Sequence, residues 1–211
     1  VEERLHAEVG GWNISGAVDL QIVTGENVIS IRDYKTTSAW AVMNEKIEWE
    51  QQLNIYAWLV ERNKRVVVDS LGIVAIIRDW SRRDAAKNED YPQAPVKELP
   101  IKLWPYKERE EFIESRLVAH AEAEFALDAD EALPDCTPSE MWEKPSIWAV
   151  RKVGNVRAKS LHNTEEEANA ALEAAGKGFE IEYRPGERTR CASFCPVSNW
   201  CQQWRNFQEQ Q

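Results

Sequence analysis

The stretch ISGAVDLQIVTGENVISIRDYKTTSAW, from Ile14 to Trp40, holds two strand-like runs joined by a turn signal, and each run carries an acid where a core strand would hold an apolar side chain. Asp19 interrupts the first run, Asp33 lies near the end of the second, and Lys35 follows two residues later. Strand alternation puts Asp33 and Lys35 on the same face of a sheet. Hairpin pairing of the two runs would bring Asp19 within reach of the same ion as Asp33. Carboxylates with a nearby backbone carbonyl and water suit Mg²⁺ or Mn²⁺, which prefer hard oxygen ligands. A lysine beside such an ion can orient or help deprotonate an attacking water, or stabilise charge on a phosphoryl group, so the pattern fits phosphodiester hydrolysis. The competing reading makes these ordinary solvated residues at strand ends. Gly16 weighs against it, because a glycine inside a strand points to close approach by another group.

Working outward, residues 3–9, 12–21 and 28–35 read as three consecutive strands with hairpin-like connections at "GG" and "TGEN". The period then changes. Trp49, Leu53, Tyr56 and Val60, widened by Ile55 and Leu59, predict an amphipathic helix over about 45–63. Gln52 and Tyr56 stand at i and i+4 on that helix, where a solvated face and core packing are the ordinary explanations. The apolar run 70–80 predicts a strand internal to the sheet, 81–95 a loop, and 96–104 an edge strand carrying Pro100. A long charged helix is expected from Lys107 to about Asp128.

The C-terminal third is organised differently. A hairpin around Gly154-Asn155 (147–161), a helix over 163–176 with Thr164 and Glu167 spaced as a capping box and Gly176 as its stop, and a strand over 179–186 make a small ββαβ unit at about 147–186. The expected division is a core over 1–135 and a cysteine-containing region over 136–211.

Composition narrows the class. With 211 residues, 43% hydrophobic and 29% charged, the chain suits one sizeable globular domain, or one domain carrying a small insertion. A net charge of −10 argues against broad coating of a polyanion but leaves room for a local basic groove. No apolar run approaches the roughly 18–20 residues that span a bilayer, so a soluble, cytoplasmic protein with no membrane partner is expected. The chain opens on Val1 and enters a strand almost at once, as expected of a fragment whose N-terminal helix lies upstream of it.

Three motifs now stand in order: SGAVD (Ser15–Asp19), IRDYKTT (Ile31–Thr37) and QLNIYAWL (Gln52–Leu59). Together they resemble the RecB-like branch of the PD-(D/E)XK nuclease superfamily, particularly its phage-type exonuclease members and the CRISPR-adaptation nucleases. The resemblance implies a restriction-endonuclease-like mixed central sheet flanked by helices. It implies that Asp19, Asp33 and the carbonyl of Tyr34 bind the catalytic Mg²⁺ or Mn²⁺, that Lys35 is the catalytic lysine, and that Gln52 and Tyr56 position DNA or the scissile phosphate. Many members carry an upstream histidine or glutamate at the metal, which makes Glu8 a further candidate ligand. His6 reads instead as a packed or surface strand residue.

The tail CASFCPVSNWC places Cys191, Cys195 and Cys201 in a C-x3-C-x5-C pattern, with Cys136 well upstream. Such clustering suggests metal more than disulfides. Four thiolates fit a 4Fe–4S cluster or structural Zn²⁺, and some RecB-like nucleases close the chain with such a cluster. This tail departs from theirs in its first gap and in the position of the fourth cysteine. Buried free thiols are the alternative. Arg151, Lys152, Arg157 and Lys159 make the insertion's hairpin locally basic, fit either for DNA phosphates or for plain solvation. The expected function is a metal-dependent DNA nuclease, an exonuclease in phage or bacterial DNA processing or recombination, with single- or double-stranded DNA as substrate and recombination or replication proteins as partners. The alternative is a catalytically silent DNA-binding or assembly subunit of the same fold.

Overall fold

The computed structural model describes residues 2–44, 46–129 and 131–210. These fall into two compact units, Val1–Glu131 and Ala132–Gln211.

In the first unit, β1 (Glu3–Val9) and β2 (Trp12–Val18) form an antiparallel hairpin. Its turn residues Gly10 and Gly11 both take positive φ, at 56° and 83°, a conformation that costs glycine little. Leu5 and Ala7 face the core while Arg4, His6 and Glu8 face out, the alternation of a half-buried strand. The run expected over 12–21 is two strands. The chain bends at Asp19, leaves the first sheet, and enters a second as β3 (Leu20–Gly25).

β4 (Val28–Thr37) pairs antiparallel with β3 and leads into a short helix, α1 (Ala39–Met43), capped by Ser38, whose Oγ accepts the Ala41 N–H at 3.2 Å. α2 (Ile47–Lys64) follows; Glu45, in the span expected for this helix, lies outside the described residues. β5 (Val67–Ile77) returns parallel to β4, as a helical crossover allows. A short helix, α3 (Arg82–Ala85), then interrupts the segment expected as a plain loop. β6 (Val96–Ile101) closes the sheet in the order β3-β4-β5-β6, and α4 (Tyr106–Asp128) completes the unit. β5 is internal and β6, with Pro100, forms the edge, as the apolar run and the proline predict. The result is the mixed central sheet packed against helices that an α/β nuclease fold requires.

The buried layer lies between this sheet and α2. Ile29, Ile31 and Asp33 of β4 share a face with Leu71, Ile73, Ala75 and Ile77 of β5, and Leu53, Ala57, Trp58, Leu59 and Val60 of α2 pack with the apolar members of that set. Besides Asp33, Asn54 is a polar residue inside it. Asn54, fully buried, donates through Nδ2 to the carbonyls of Glu50 and Lys102, both at 2.9 Å, and its Oδ1 accepts the Trp104 N–H at 2.8 Å. Arg109 and Glu61 add a buried ion pair at 2.9 Å between α4 and α2. The Asn54 contacts tie α2 to the segment after β6. Hydropathy periodicity does not reveal them, because a lone asparagine on a helix reads as a solvated position.

In the second unit, β7 (Glu143–Lys144) precedes β8 (Ile147–Lys152) and β9 (Ala158–His162), then α5 (Glu165–Ala175) and β10 (Phe179–Arg184). The sheet order is β10-β8-β9. The capping of α5 matches its sequence signature: the Glu167 N–H donates to Thr164 Oγ1 at 3.2 Å, and Gly176 ends the helix at φ 80°. The base of this unit is closed by a strand pair. β11 (Glu187–Arg188) pairs with β7, and Arg188 Nε donates to Glu143 Oε2 at 2.8 Å. α6 (Thr189–Ser193), a 3-10 turn (Ser198–Trp200) and α7 (Gln202–Glu209) finish the chain. Among the described residues no helix is long and apolar enough to cross a membrane.

Replacing Asn54 by alanine would orphan the buried Trp104 N–H and the Lys102 carbonyl. The expected loss is about 2–4 kcal/mol of unfolding free energy in a urea titration, since each unsatisfied buried group costs roughly 1–3 kcal/mol. A loss under about 0.5 kcal/mol, the range of ordinary surface substitutions, would contradict this account.

Candidate active site

Register fixes the first pair. Leu20 lies opposite Arg32 across β3 and β4, so Asp19, one residue earlier at the bend, comes beside Asp33 and Tyr34. The Tyr34 N–H donates to Asp19 Oδ2 at 2.8 Å and holds that carboxylate at the sheet margin. Asp33 is 2% exposed and points toward α2 with Ile31. Such burial of a charge requires a counter-charge, and Lys35 Nζ stands 2.7 Å from Asp33 Oδ2. Yet that oxygen, which is buried, has no donor in hydrogen-bonding alignment. Burial pushes the Asp33 carboxyl above its ordinary range, Lys35 pulls it back, and the Asp19 charge adds to the rise.

The helix completes a relay. Lys35 Nζ donates to Gln52 Oε1 at 2.8 Å, and Gln52 Nε2 donates to the Tyr56 hydroxyl at 2.7 Å. The i, i+4 spacing of Gln52 and Tyr56 thus serves neither a solvated face nor core packing alone. The direction of donation leaves the Tyr56 proton without an acceptor among the described residues, available to an oxygen of a bound molecule. Gly16 explains how the tyrosine fits. A Cβ at Gly16 would lie 2.7 Å from Tyr56 Cε1 and 3.0 Å from Leu59 Cδ1, so the group that approaches this glycine is the Tyr56 ring.

Five residues singled out in the sequence, Asp19, Asp33, Lys35, Gln52 and Tyr56, therefore converge at the C-terminal half of β4 and the facing side of α2. Glu8 does not join them. It pairs with Asn13 at the turn end of the first hairpin, and its side chain is exposed. That position is six residues along β2 from Asp19, roughly 20 Å at the usual strand rise.

In the second unit, Arg151 is engaged by its own sheet. Glu180 Oε1 lies 3.1 Å from it, Glu182 Oε2 lies 3.6 Å away, and it donates to the Asn155 carbonyl at 2.8 Å. The hairpin is basic along the chain, but β10 supplies acids beside it in space. Lys159 lies over the Phe179 ring, while Lys152 and Arg157 are exposed. Cys136, Cys191, Cys195 and Cys201 are free thiols near enough to influence one another. Burial raises Cys136 most, followed by Glu140 and Cys201; at Cys191, burial is followed by Cys195 and Cys136. Gln203 clasps the Cys136 backbone from both sides, accepting its N–H at 3.0 Å and donating to its carbonyl at 2.9 Å. Among the described residues no three His, Cys, Asp or Glu side chains are grouped to hold a metal ion. The 4Fe–4S cluster and the Zn²⁺ site expected from spacing thus have no assembled ligand set here.

The site at β4 has different chemistry. Its donors are all hard oxygens, two carboxylates with a peptide carbonyl close by, and one buried carboxylate oxygen lacks an aligned donor. That set fits a divalent cation. A lysine paired with one of two such acids at a mixed sheet is an arrangement that can serve phosphodiester hydrolysis. The model of the PD-(D/E)XK nuclease superfamily matches residues 1–202, and the chain belongs to that superfamily. Its members typically bind a divalent metal, and membership implies a DNA substrate. No curated protein and no solved structure matched the chain.

Gly16→Ala tests the packing under Tyr56. The added methyl must displace the ring, and such overpacking typically costs about 1–3 kcal/mol. Thermal unfolding should show that loss, and nucleolytic activity should fall by more than the folded fraction accounts for, because the Gln52–Tyr56 bond is broken. Unchanged activity would show that Tyr56 needs no fixed position.

Proposed function

We propose that the protein is a Mg²⁺- or Mn²⁺-dependent deoxyribonuclease of the RecB-like, phage-exonuclease type, acting at DNA ends in the processing or recombination of bacterial or phage DNA in the cytoplasm. The observation that carries this reading is the continuous path Asp33–Lys35–Gln52–Tyr56 beside Asp19. A binding-only role requires neither the buried acid nor its lysine.

In this reading Asp19, Asp33 and the Tyr34 carbonyl hold the ion. A divalent cation bound there polarises a phosphoryl oxygen and makes water more acidic. The chain's own groups do the rest. Lys35, anchored by Asp33 on one side and Gln52 on the other, keeps its ammonium at the reacting phosphate, where it steadies developing negative charge and orients the water. Tyr56, its oxygen already accepting from Gln52, turns its O–H toward a phosphate oxygen. Gln52 is a positioning residue that couples the two.

Cys136, Cys191, Cys195 and Cys201 belong to the proposal as a structural centre in the C-terminal unit, holding a 4Fe–4S cluster or Zn²⁺. Their mutual proximity supports it, and no step of hydrolysis passes through it. Lys152 and Arg157, and more weakly Arg151 and Lys159, are proposed phosphate contacts there. Recombination or replication proteins would be the natural partners of such an enzyme.

End-labelled single- and double-stranded DNA, incubated with Mg²⁺ or Mn²⁺, is the direct test. The protein should cut, with a ladder growing from one end. EDTA should abolish cutting, and Asp33→Ala and Lys35→Ala should each lower the rate at least about a hundredfold with the fold intact. Binding without cleavage by the unaltered protein would instead favour the catalytically silent subunit.

A further inference from the structure

A second feature stands at the same end of the sheet. β4 and β5 run parallel and finish together, Thr37 beside Ile77, and the Arg78 N–H donates to the Thr37 carbonyl at 3.0 Å. Asp79 Oδ1 then accepts the Ala39 N–H at 2.7 Å, fastening the start of α1 to the residues that follow β5. Trp40 is the next residue along. Its neighbours Ala39, Ala41 and Val42 are buried, yet Trp40 is 61% exposed. The Lys46 ammonium lies 4.6 Å from the centroid of its ring.

Met43 and Ile47, 47% and 49% exposed, follow Trp40 in the chain, so the indole belongs to an exposed apolar stretch and does not stand alone. Its surroundings specify what would cover it. Arg78, Arg82 and Arg83 are exposed on the segment that fastens α1, and their guanidinium groups make no ion pair among the described residues. With Lys46 they bring four cations to segments that also carry Asp79 and Asp84 and, close to Lys46 in the chain, Glu45 and Glu48; the whole chain has a net charge of −10. A flat π-face among unpaired cations is the combination that takes a nucleobase with its flanking phosphates. A purely apolar protein partner would leave four cations unmatched. Position agrees, because ligands of parallel strands bind beyond their carboxyl ends, and Lys35 lies only two residues before Thr37.

We propose that Trp40 is a base-stacking platform for single-stranded DNA at the mouth of the active site, with Lys46, Arg78, Arg82 and Arg83 gripping the backbone on either side. This rests on the nuclease reading and adds the form of the substrate. An unpaired base stacks on the indole while the phosphates of the strand follow the end of β4 toward Lys35. Stacking selects a strand that is already single or frayed, since a base must leave its helix to lie on the ring.

The test is fluorescence anisotropy of a labelled single-stranded oligodeoxynucleotide and of its blunt duplex, in EDTA so that nothing is cut, with cleavage assayed separately in Mg²⁺. The unaltered protein should prefer the single strand. Trp40→Ala should weaken that binding on the order of tenfold, as expected for losing one stacked base, and Trp40→Phe should recover most of it. Arg78→Glu should weaken binding and flatten its salt dependence. Because Trp40 is exposed, the variants should melt with the unaltered protein; were Trp40→Ala to unfold, Trp40→Phe and Arg78→Glu still carry the test. Active protein whose single-strand affinity is indifferent to Trp40 and Arg78 would overturn the platform and leave the nuclease reading standing. Tighter binding to the duplex, undisturbed by Trp40→Ala, would also overturn it. Protein that neither binds nor cuts DNA would overturn both.

Discussion

The structure turns on a carboxylate placed where a hydrocarbon would pack better. Asp33 lies in the buried face of β4, 2% exposed, between Ile31 and the facing helix. A charge so placed is tolerated only when paired, and even a good ion pair recovers little more than its own desolvation. Lys35 supplies the pairing at 2.7 Å, and Lys35 in turn requires Gln52, which reaches on to Tyr56. Each partner is thereby fixed by the one before it. The helix must lie at a set height over the sheet for the relay to close, and the buried Asn54 and the Arg109–Glu61 pair hold α2 against the chain after β6. In the proposed reading, stability is given up at one residue so that a catalytic group stands ready without reorganisation.

The same logic separates the two kinds of metal chemistry in this chain. The acids of the first unit already stand together, with Asp33 paired to Lys35. The cysteines of the second unit lie near one another without forming a ligand set, and a strand pair with the Arg188–Glu143 bond closes the base of the ββαβ unit.

Much of this was readable in the residues, and the reasons differ by element. β4 and α2 were legible because the signals are local: alternation sets Asp33 and Lys35 on one face, and the i, i+4 rule sets Gln52 and Tyr56 on another. The parallel pairing of β4 with β5 was not read from the sequence, although a helix between two apolar runs allows it. The break at Asp19 was hidden, since "WNISGAVDLQ" alternates smoothly and only the change of sheet shows that it is two strands. Gly16 signalled a close approach, but a sequence names no occupant; the structure names the Tyr56 ring. The acids beside the basic hairpin were hidden for a related reason. Glu180 and Glu182 come from β10, which lies beyond the intervening helix in the chain and beside Arg151 in space. Among ten tryptophans, composition could not single out Trp40; that needed the burial of its neighbours.

The account stands or falls on whether Asp19 and Asp33 share one cation. Isothermal titration of Mn²⁺ into the protein, beside Asp19→Ala and Asp33→Ala, measures this without reference to any substrate. One site per chain that survives in the unaltered protein and vanishes in both variants is the predicted result. Equal Mn²⁺ binding by all three, or none by the unaltered protein, would contradict it.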